Sequence, residues 1–163
     1  MLQMELIKYK ISNSPWGNCL TAYSSKGLCA LFLGESSSEL TSALSARFPL
    51  AQCERLENLP YVDFMLPYEG VLDLRGTPFQ LQVWDALKQI PRGKTCSYRH
   101  IAEQLGRPRA VRAVAGACGA NPIAGIIPCH RVIRTDGKLS GYRWGVQIKE
   151  QLLNWEQAHA AEA

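Results

Sequence analysis

The chain has 163 residues, of which 47% are hydrophobic and 20% charged, and its composition is that of a globular protein. No apolar run reaches the roughly 18 residues of a transmembrane helix, and the mixed charges of residues 1–10 do not fit a signal peptide, so we expect a cytoplasmic protein. Residues 79–163 carry 12 basic against 6 acidic side chains, an excess that favours an anionic partner, although many solvated surfaces share it.

The N-terminal half predicts strands and one helix. Alternation of apolar and polar side chains indicates strands at residues 4–11, 18–23 and 28–33. Ser38 is the expected N-cap of a helix whose apolar face is formed by Leu40, Leu44 and Phe48. Residues 49–74 show no period, and we expect a linker there with one short strand at 71–74.

The second half begins with a capping box, in which Thr77 is the N-cap, Pro78 starts the helix and Gln80 bonds back to the cap. The apolar face of this helix is predicted to hold Phe79, Val83, Leu87 and Ile90. A second, short helix is predicted at residues 98–105, with Ser97 as its cap and Gly106 just beyond its end.

A third helix is predicted at residues 110–119. On a wheel of about 100° per residue its core face holds Val111, Val114, Ala115 and Cys118. The opposite face holds Arg109, Arg112, Ala113, Gly116 and Ala120. Small residues let a helix approach another surface closely and arginines can meet phosphates, so a DNA-reading helix fits this face. A plain amphipathic helix with two solvated arginines fits it as well.

The six cysteines are scattered and include no CxxC pair, which predicts reduced thiols rather than a disulfide framework. Only three histidines are present, and none lies near Cys19, Cys29 or Cys53 in the sequence. We therefore expect no zinc site and no other metal.

The run Pro128-Cys129-His130-Arg131-Val132 carries the clearest chemistry. A cysteine on an apolar segment is commonly a small buried hydrophobe. A thiol with a pKa of about 8.5 is only slightly ionised at neutral pH, so a nucleophilic cysteine needs a base or a positive charge nearby. His130 and Arg131 supply both. Because neighbouring side chains on an extended segment point apart, we expect Cys129 and His130 to communicate through a tight turn or a bridging water.

A final helix is predicted from Val146, with Ile148, Leu152 and Trp155 facing the core and Glu156 at the margin of that stripe. A carboxylate at the edge of a core commonly has a partner. His130 is the most economical one, because a carboxylate on one imidazole nitrogen favours a base at the other. A half-exposed glutamate without a role is the alternative.

Residues 73–156 resemble the O6-alkylguanine-DNA alkyltransferases. The shared motifs are Gly76-Thr77-Pro78-Phe79-Gln80, Ser97-Tyr98, Gly106-Arg107-Pro108, Arg112-Ala113-Val114, Ala120-Asn121-Pro122, Pro128-Cys129-His130-Arg131-Val132-Ile133 and Ser140-Gly141-Tyr142-Arg143-Trp144-Gly145. The last motif looks most like the C-terminal half of the bacterial adaptive-response protein. That protein's zinc-bearing and regulatory domains have no counterpart in the sequence, so no transcriptional role is expected.

The resemblance implies an α+β fold in two domains. Residues 1–72 would form a small ribonuclease-H-like α/β domain with a linker. Residues 73–163 would form a mostly helical DNA-binding and alkyl-acceptor domain with a winged-helix or helix-turn-helix motif. The family further implies a monomer that acts on double-stranded DNA containing alkylated guanine and requires no cofactor.

The resemblance also assigns catalytic roles by position. Cys129 would accept the alkyl group, His130 would activate it through a water, and Glu156 would hold His130. Asn121 would shape the turn that presents the cysteine. Tyr98 would push the 3′ phosphate, help to flip the base and hydrogen-bond the purine.

The remaining implied roles concern DNA and the base. Arg112 would fill the hole left in the duplex by the flipped nucleotide, and the helix that carries it would enter the minor groove through Arg109, Ala113 and Gly116. The base pocket would be formed by Val132, Tyr142, Arg143 and Trp144.

The implied reaction is attack of a thiolate on the alkyl carbon of O6-alkylguanine, and also of O4-alkylthymine, with the flipped base in the pocket. The resulting thioether has no easy leaving group, so one protein would repair one lesion. Two other classes stay open: a binder of alkylated DNA without transfer, which the presence of Cys129 disfavours, and a hydrolase with a Cys-His-Glu triad, which leaves the arginine-bearing helix unexplained.

Overall fold

The computed structural model describes residues 3–139 and 141–160, so Ser140 of the last motif lies outside the described residues. The chain is a mixed α+β protein, which confirms the predicted class. It divides into two compact units, one formed by residues 1–75 with 122–124 and the other by residues 76–121 with 125–163. Within the described ranges, no helix is long and apolar enough to cross a membrane.

The first unit contains a four-stranded sheet in the order β3-β2-β1-β4. Its strands are β1 (Leu6–Ser14), β2 (Gly17–Ser24), β3 (Gly27–Gly34) and β4 (Gln52–Arg55). The first three are the predicted strands and pair antiparallel as two hairpins. Gly27 takes a φ of +149°, and a side chain there would collide with the carbonyl oxygen of Val71, so this turn requires glycine.

Strand β4 was not predicted. It lies in the segment expected to be a linker, and it pairs parallel with β1, with Ile7 opposite Cys53. The expected strand at residues 71–74 is also wrong, since the structure has only an isolated bridge between Leu28 and Leu72 there.

Helix α1 (Ser37–Arg47) begins earlier than predicted. The N-cap is Ser36 rather than Ser38, and its hydroxyl accepts a hydrogen bond from the backbone N–H of Glu39 at 3.2 Å. The predicted apolar positions Leu40 and Leu44 are buried.

The second unit is mostly helical. Its helices are α2 (Pro78–Leu87), α3 (Tyr98–Gln104), α4 (Val111–Gly119) and α5 (Val146–Ala158). Two short strands, β5 (Cys96–Ser97) and β6 (Val132–Ile133), pair parallel, and a single 3-10 turn (Cys129–Arg131) precedes β6. The predicted capping box at Thr77 is present, with both reciprocal hydrogen bonds to Gln80.

The faces of α4 and α5 differ from the prediction. In α4, Ala117 is buried and Ala115 is exposed, because the indole N–H of Trp84 in α2 donates to the carbonyl of Ala117 at 2.8 Å and brings that side of the helix inward. In α5, the fully buried residues are Lys149, Leu152 and Glu156, rather than the predicted Ile148, Leu152 and Trp155.

Candidate active site

Cys129 begins the 3-10 turn, and its side chain is buried. The amide of Asn121, itself fully buried, donates one hydrogen bond to the Cys129 sulfur at 3.1 Å and one to the carbonyl of Ile127 at 2.8 Å. Asn121 thus fixes both the thiol and the segment that leads to it. The structure thus brings together two of the predicted site residues, Asn121 and Cys129.

Burial raises the pKa of the Cys129 thiol to about 11, although the Asn121 hydrogen bond and the charges of Lys149 and Arg143 act in the opposite direction. At pH 7 a thiol with that pKa is ionised in about one molecule in 10⁴. The resting sulfur is therefore a thiol, and its proton must be removed during any nucleophilic reaction.

His130 and Glu156 form the predicted pair, deep in the unit. The Nε2 atom of His130 lies 2.7 Å from Oε1 of Glu156, and both side chains are buried. Arg131 also donates to this carboxylate, at 2.9 Å from Nε and 2.7 Å from Nη2, so Arg131 neutralises Glu156 instead of facing the thiol. The sequence analysis placed Glu156 at the margin of the core, but the structure buries it, with 2% of its surface exposed.

The charges of this cluster follow from its contacts. Burial would raise the pKa of Glu156, but hydrogen bonds from His130 and Arg131 outweigh it and lower the pKa to about 2. Burial lowers the pKa of His130 despite the neighbouring carboxylate. The imidazole is therefore neutral at pH 7, with Nε2 protonated toward Glu156 and Nδ1 left as a hydrogen-bond acceptor.

Lys149 is a buried charged residue of this site that the sequence analysis missed. It is 1% exposed, and its ammonium donates to the carbonyl of Val132 at 2.7 Å and to the hydroxyl of Tyr98 at 3.4 Å. Burial lowers the pKa of Lys149, whereas the charge of Cys129 raises it, so the two groups interact. The signal was present in the sequence: Lys149, Leu152 and Glu156 have the i, i+3, i+7 spacing of one helix face.

A cavity of about 460 Å³ opens onto Cys129. Its lining residues are Tyr98, Ala115, Cys118, Gly119, Cys129, Arg134, Gly141, Tyr142 and Arg143. Two of the predicted pocket residues, Tyr142 and Arg143, are in this wall. The other two, Val132 and Trp144, are not among these lining residues. Val132 is buried, and its carbonyl accepts from Lys149, whereas Trp144 packs edge-on against Tyr142 with ring centroids 5.3 Å apart.

The predicted DNA-binding residues lie on and before α4. Arg109, Arg112, Ala113 and Gly116 are all exposed. A side chain added at Gly116 would meet no other atom within 4 Å, so this face of the helix is open. Tyr98, at the start of α3, is half-buried and lines the cavity, and Ser97 caps its helix as predicted.

Comparisons with known proteins show the family to which the chain belongs. Residues 78–158 match the family "6-O-methylguanine DNA methyltransferase, DNA binding domain". A methylated-DNA–protein-cysteine methyltransferase of Mycolicibacterium paratuberculosis is 40% identical to this chain, and the aligned region covers 95% of each protein. The Escherichia coli bifunctional transcriptional activator/DNA repair enzyme Ada is 46% identical over 92% of this chain, which spans 45% of that relative's length.

Solved structures of this family also resemble the chain. The crystal structure of Mycobacterium tuberculosis OGT in complex with DNA superposes with a TM-score of 0.78, at 38% identity over 94% of each chain. The protein belongs to the methylated-DNA–protein-cysteine methyltransferase family.

Proposed function

We propose that this protein repairs DNA by direct reversal, by transferring the alkyl group of O6-alkylguanine, and also of O4-alkylthymine, irreversibly to the sulfur of Cys129. The observation that carries the proposal is a buried thiol at the wall of a cavity, next to a neutral histidine held by an ionised glutamate. Family membership supports the same reaction, since relatives are named for it. The relative from E. coli is about twice as long, so its further activities are not part of this proposal.

The thiol proton has a defined destination in this mechanism. Nδ1 of His130 is the basic nitrogen, and a water between it and Cys129 would pass the proton from sulfur to imidazole. The ionised Glu156 stabilises the imidazolium that forms. Lys149 and Arg143 then stabilise the thiolate, as their effect on the Cys129 pKa indicates.

The chemical step forms the S–C bond as the C–O6 bond breaks, and the electron pair of that bond stays on the guanine. The guanine takes a proton from the hydroxyl of Tyr98, and the resulting phenolate faces the ammonium of Lys149. The buried cation favours that phenolate. The product thioether offers no good leaving group, so each protein acts once and needs no cofactor.

The DNA-binding surface is the exposed face of α4. Because the target carbon lies inside the base stack, the nucleotide must be flipped out, and Tyr98 would assist this by pressing on the 3′ phosphate. Arg112 would occupy the gap, while the small residues Ala113 and Gly116 let the helix enter the minor groove and Arg109 meets a phosphate. In this arrangement α3 and α4 act as a helix-turn-helix.

The finer architecture belongs to the same proposal. Residues 1–72 would be a ribonuclease-H-like domain with its linker, which the sheet with a parallel β1–β4 pair supports, and residues 73–163 a winged-helix-like acceptor domain. We infer a monomer that acts in the cytoplasm on double-stranded DNA. The base pocket would comprise Tyr142 and Arg143 at the wall, with Val132 and Trp144 behind them.

The test is mass spectrometry after incubation with duplex DNA that contains one O6-methylguanine. Wild type should gain one methyl group, on the peptide that contains Cys129, with stoichiometric loss from the DNA. Cys129→Ala should gain none and still bind the duplex, whereas Cys118→Ala, in the same cavity wall, should react normally. Transfer in the Cys129→Ala variant would disprove the assignment. Hydrolysis of the substrate without mass gain would point to a hydrolase, and binding without either to a lesion-binding protein.

A further inference from the structure

Two buried side-chain atoms among the described residues have no hydrogen-bond partner, and both belong to the candidate active site. They are Nδ1 of His130 and the hydroxyl oxygen of Tyr142. Buried polar groups in native proteins are nearly always satisfied, by protein or by ordered water. One of these exceptions follows Cys129 in the chain and the other shares its cavity wall, which indicates that a small polar molecule completes their hydrogen bonds.

The two atoms have complementary needs. Nδ1 of His130 is an acceptor, because Nε2 carries the proton that is donated to Glu156. Burial, and then the charges of Cys129 and Glu156, raise the pKa of Tyr142 well above its usual value, so its hydroxyl keeps its proton and is available as a donor. A single water can satisfy both, since it donates to one atom and accepts from the other.

The position of Tyr142 fits this use. Its side chain shares the cavity wall with Cys129, and its hydroxyl is close enough to interact electrostatically with both Cys129 and Glu156. The ring itself is fixed by its edge-on contact with Trp144. A rigid donor on the cavity side of Cys129 is what a relay water needs in order to stay aligned.

We propose that Tyr142 is a positioning residue, whose hydroxyl donates a hydrogen bond to the water that relays the Cys129 proton to Nδ1 of His130. The inference rests on the proposed function, in which that relay occurs. One lone pair of the water accepts the thiol proton, and the other accepts the hydrogen bond that the Tyr142 hydroxyl donates. It gives one of its own protons to Nδ1, and Tyr142 ends the step with its proton in place.

The test variant is Tyr142→Phe, which removes one oxygen and keeps the ring and its contact with Trp144. Labelling of Cys129 by iodoacetamide is followed against pH in the free protein. The expected result is a labelling profile displaced to higher pH and a single-turnover methyl transfer slower by about tenfold. Tyr61→Phe, an exposed tyrosine of the first unit, is the matched control and should change neither.

The pH profile reports on several groups that surround the sulfur, so their contributions must be kept apart. They are Tyr98 of α3, Cys118 of α4, His130 and Arg131 of the 3-10 turn, Arg143, and Lys149 and Glu156 of α5. Phenylalanine at position 142 alters none of these groups. A displaced profile in Tyr142→Phe alone therefore belongs to the lost hydroxyl.

Two further measurements separate the possible outcomes. The urea midpoint should fall in Tyr142→Phe if the hydroxyl is bonded to water and rise if it is an unsatisfied buried group. In wild type, which avoids any folding defect, NMR should detect a magnetisation transfer between the Tyr142 hydroxyl proton and a bound water.

An unchanged labelling profile together with weaker binding of lesion-containing duplex would overturn the proposal, because the hydroxyl would then contact the base. An unchanged profile with a raised urea midpoint would overturn it as well. If wild type transfers no methyl group, the proposed function fails. The labelling profiles and the water contact still decide the role of Tyr142 in that case, since neither needs DNA.

Discussion

Replacing Glu156 with glutamine tests whether the charge of the buried carboxylate supports both the fold and the thiol. Glu156 accepts three hydrogen bonds, one from His130 and two from Arg131. Glutamine preserves the shape but removes the charge, so Arg131 loses its counter-ion while it is still mostly buried. Removing one partner of such a pair costs roughly 3–5 kcal/mol.

The pKa of Glu156 gives a second value for the free energy that its charge contributes to folding. The pKa of Glu156 falls from 4.5 to about 2 on folding, and such a shift contributes roughly 3 kcal/mol to the free energy of unfolding at neutral pH. Because the folded-state pKa is the lower one, this contribution is complete above about pH 5 and is lost as the pH falls toward 2. About 2 kcal/mol of it should be gone by pH 3.

The assay is urea denaturation of wild type, Glu156→Gln and Glu150→Gln at pH 7, 5 and 3. Glu150 is exposed on the same helix and serves as the matched control. The difference in unfolding free energy between wild type and Glu156→Gln should be about 3 kcal/mol at pH 7 and shrink by about 2 kcal/mol at pH 3. A difference that stays constant over this range would refute the argument that the ionised carboxylate supplies the stability.

The same variant should also slow methyl transfer and displace the labelling profile of Cys129 to higher pH. Without the carboxylate, Nδ1 of His130 is a weaker base, and the thiolate forms with less help. Destabilisation without any change in the labelling profile would leave Glu156 with a structural role only.

Three further outcomes follow from the site. Arg112→Ala should weaken repair of duplex DNA far more than reaction with free O6-methylguanine, since a residue that fills a gap in the stack matters only where a stack exists; equal losses would reduce Arg112 to a structural or phosphate contact. Lys149→Met should displace the pH profile of Cys129 labelling upward, because the buried cation that favours the thiolate is lost; an unchanged profile would contradict this role. Free O6-benzylguanine should inactivate wild type poorly and Trp144→Gly more readily, because the indole packs against Tyr142 in the cavity wall; equal dose-response curves would place the restriction elsewhere.

Local signals in the sequence were sufficient where neighbouring residues decide the structure. The capping box at Thr77 depends on contacts three residues apart, and it was predicted together with its reciprocal hydrogen bonds. Gly106, with a φ of +73°, ends α3 as expected of a C-cap glycine. The N-cap of α1 was misplaced because three consecutive serines, Ser36 to Ser38, offer the same cap chemistry.

Features that depend on distant residues were missed. Strand β4 has the sequence Gln-Cys-Glu-Arg, with little apolar alternation, and it exists because it pairs with β1 some 45 residues away. The sequence analysis gave Lys149 no place in the site, and lysine is in general seldom fully buried. Lys149 donates to the carbonyl of Val132 and to the hydroxyl of Tyr98. Both partners lie outside helix α5, so the pattern of apolar residues along that helix does not predict them.

The high pKa of Cys129 is itself consistent with a protein that reacts only once. Electrophiles in the cell attack thiolates, and any such reaction at Cys129 would destroy the proposed acceptor before it met a lesion. With a pKa of about 11, the resting thiolate fraction is lower by more than two orders of magnitude than that of an ordinary cysteine with a pKa of about 8.5. In the proposed mechanism the neutral His130, bonded to the ionised Glu156, ionises this protected thiol, and the charge of Lys149 favours the thiolate. In the proposed mechanism the proton leaves the sulfur only as His130 accepts it, so nearly all of the free protein keeps an unreactive thiol.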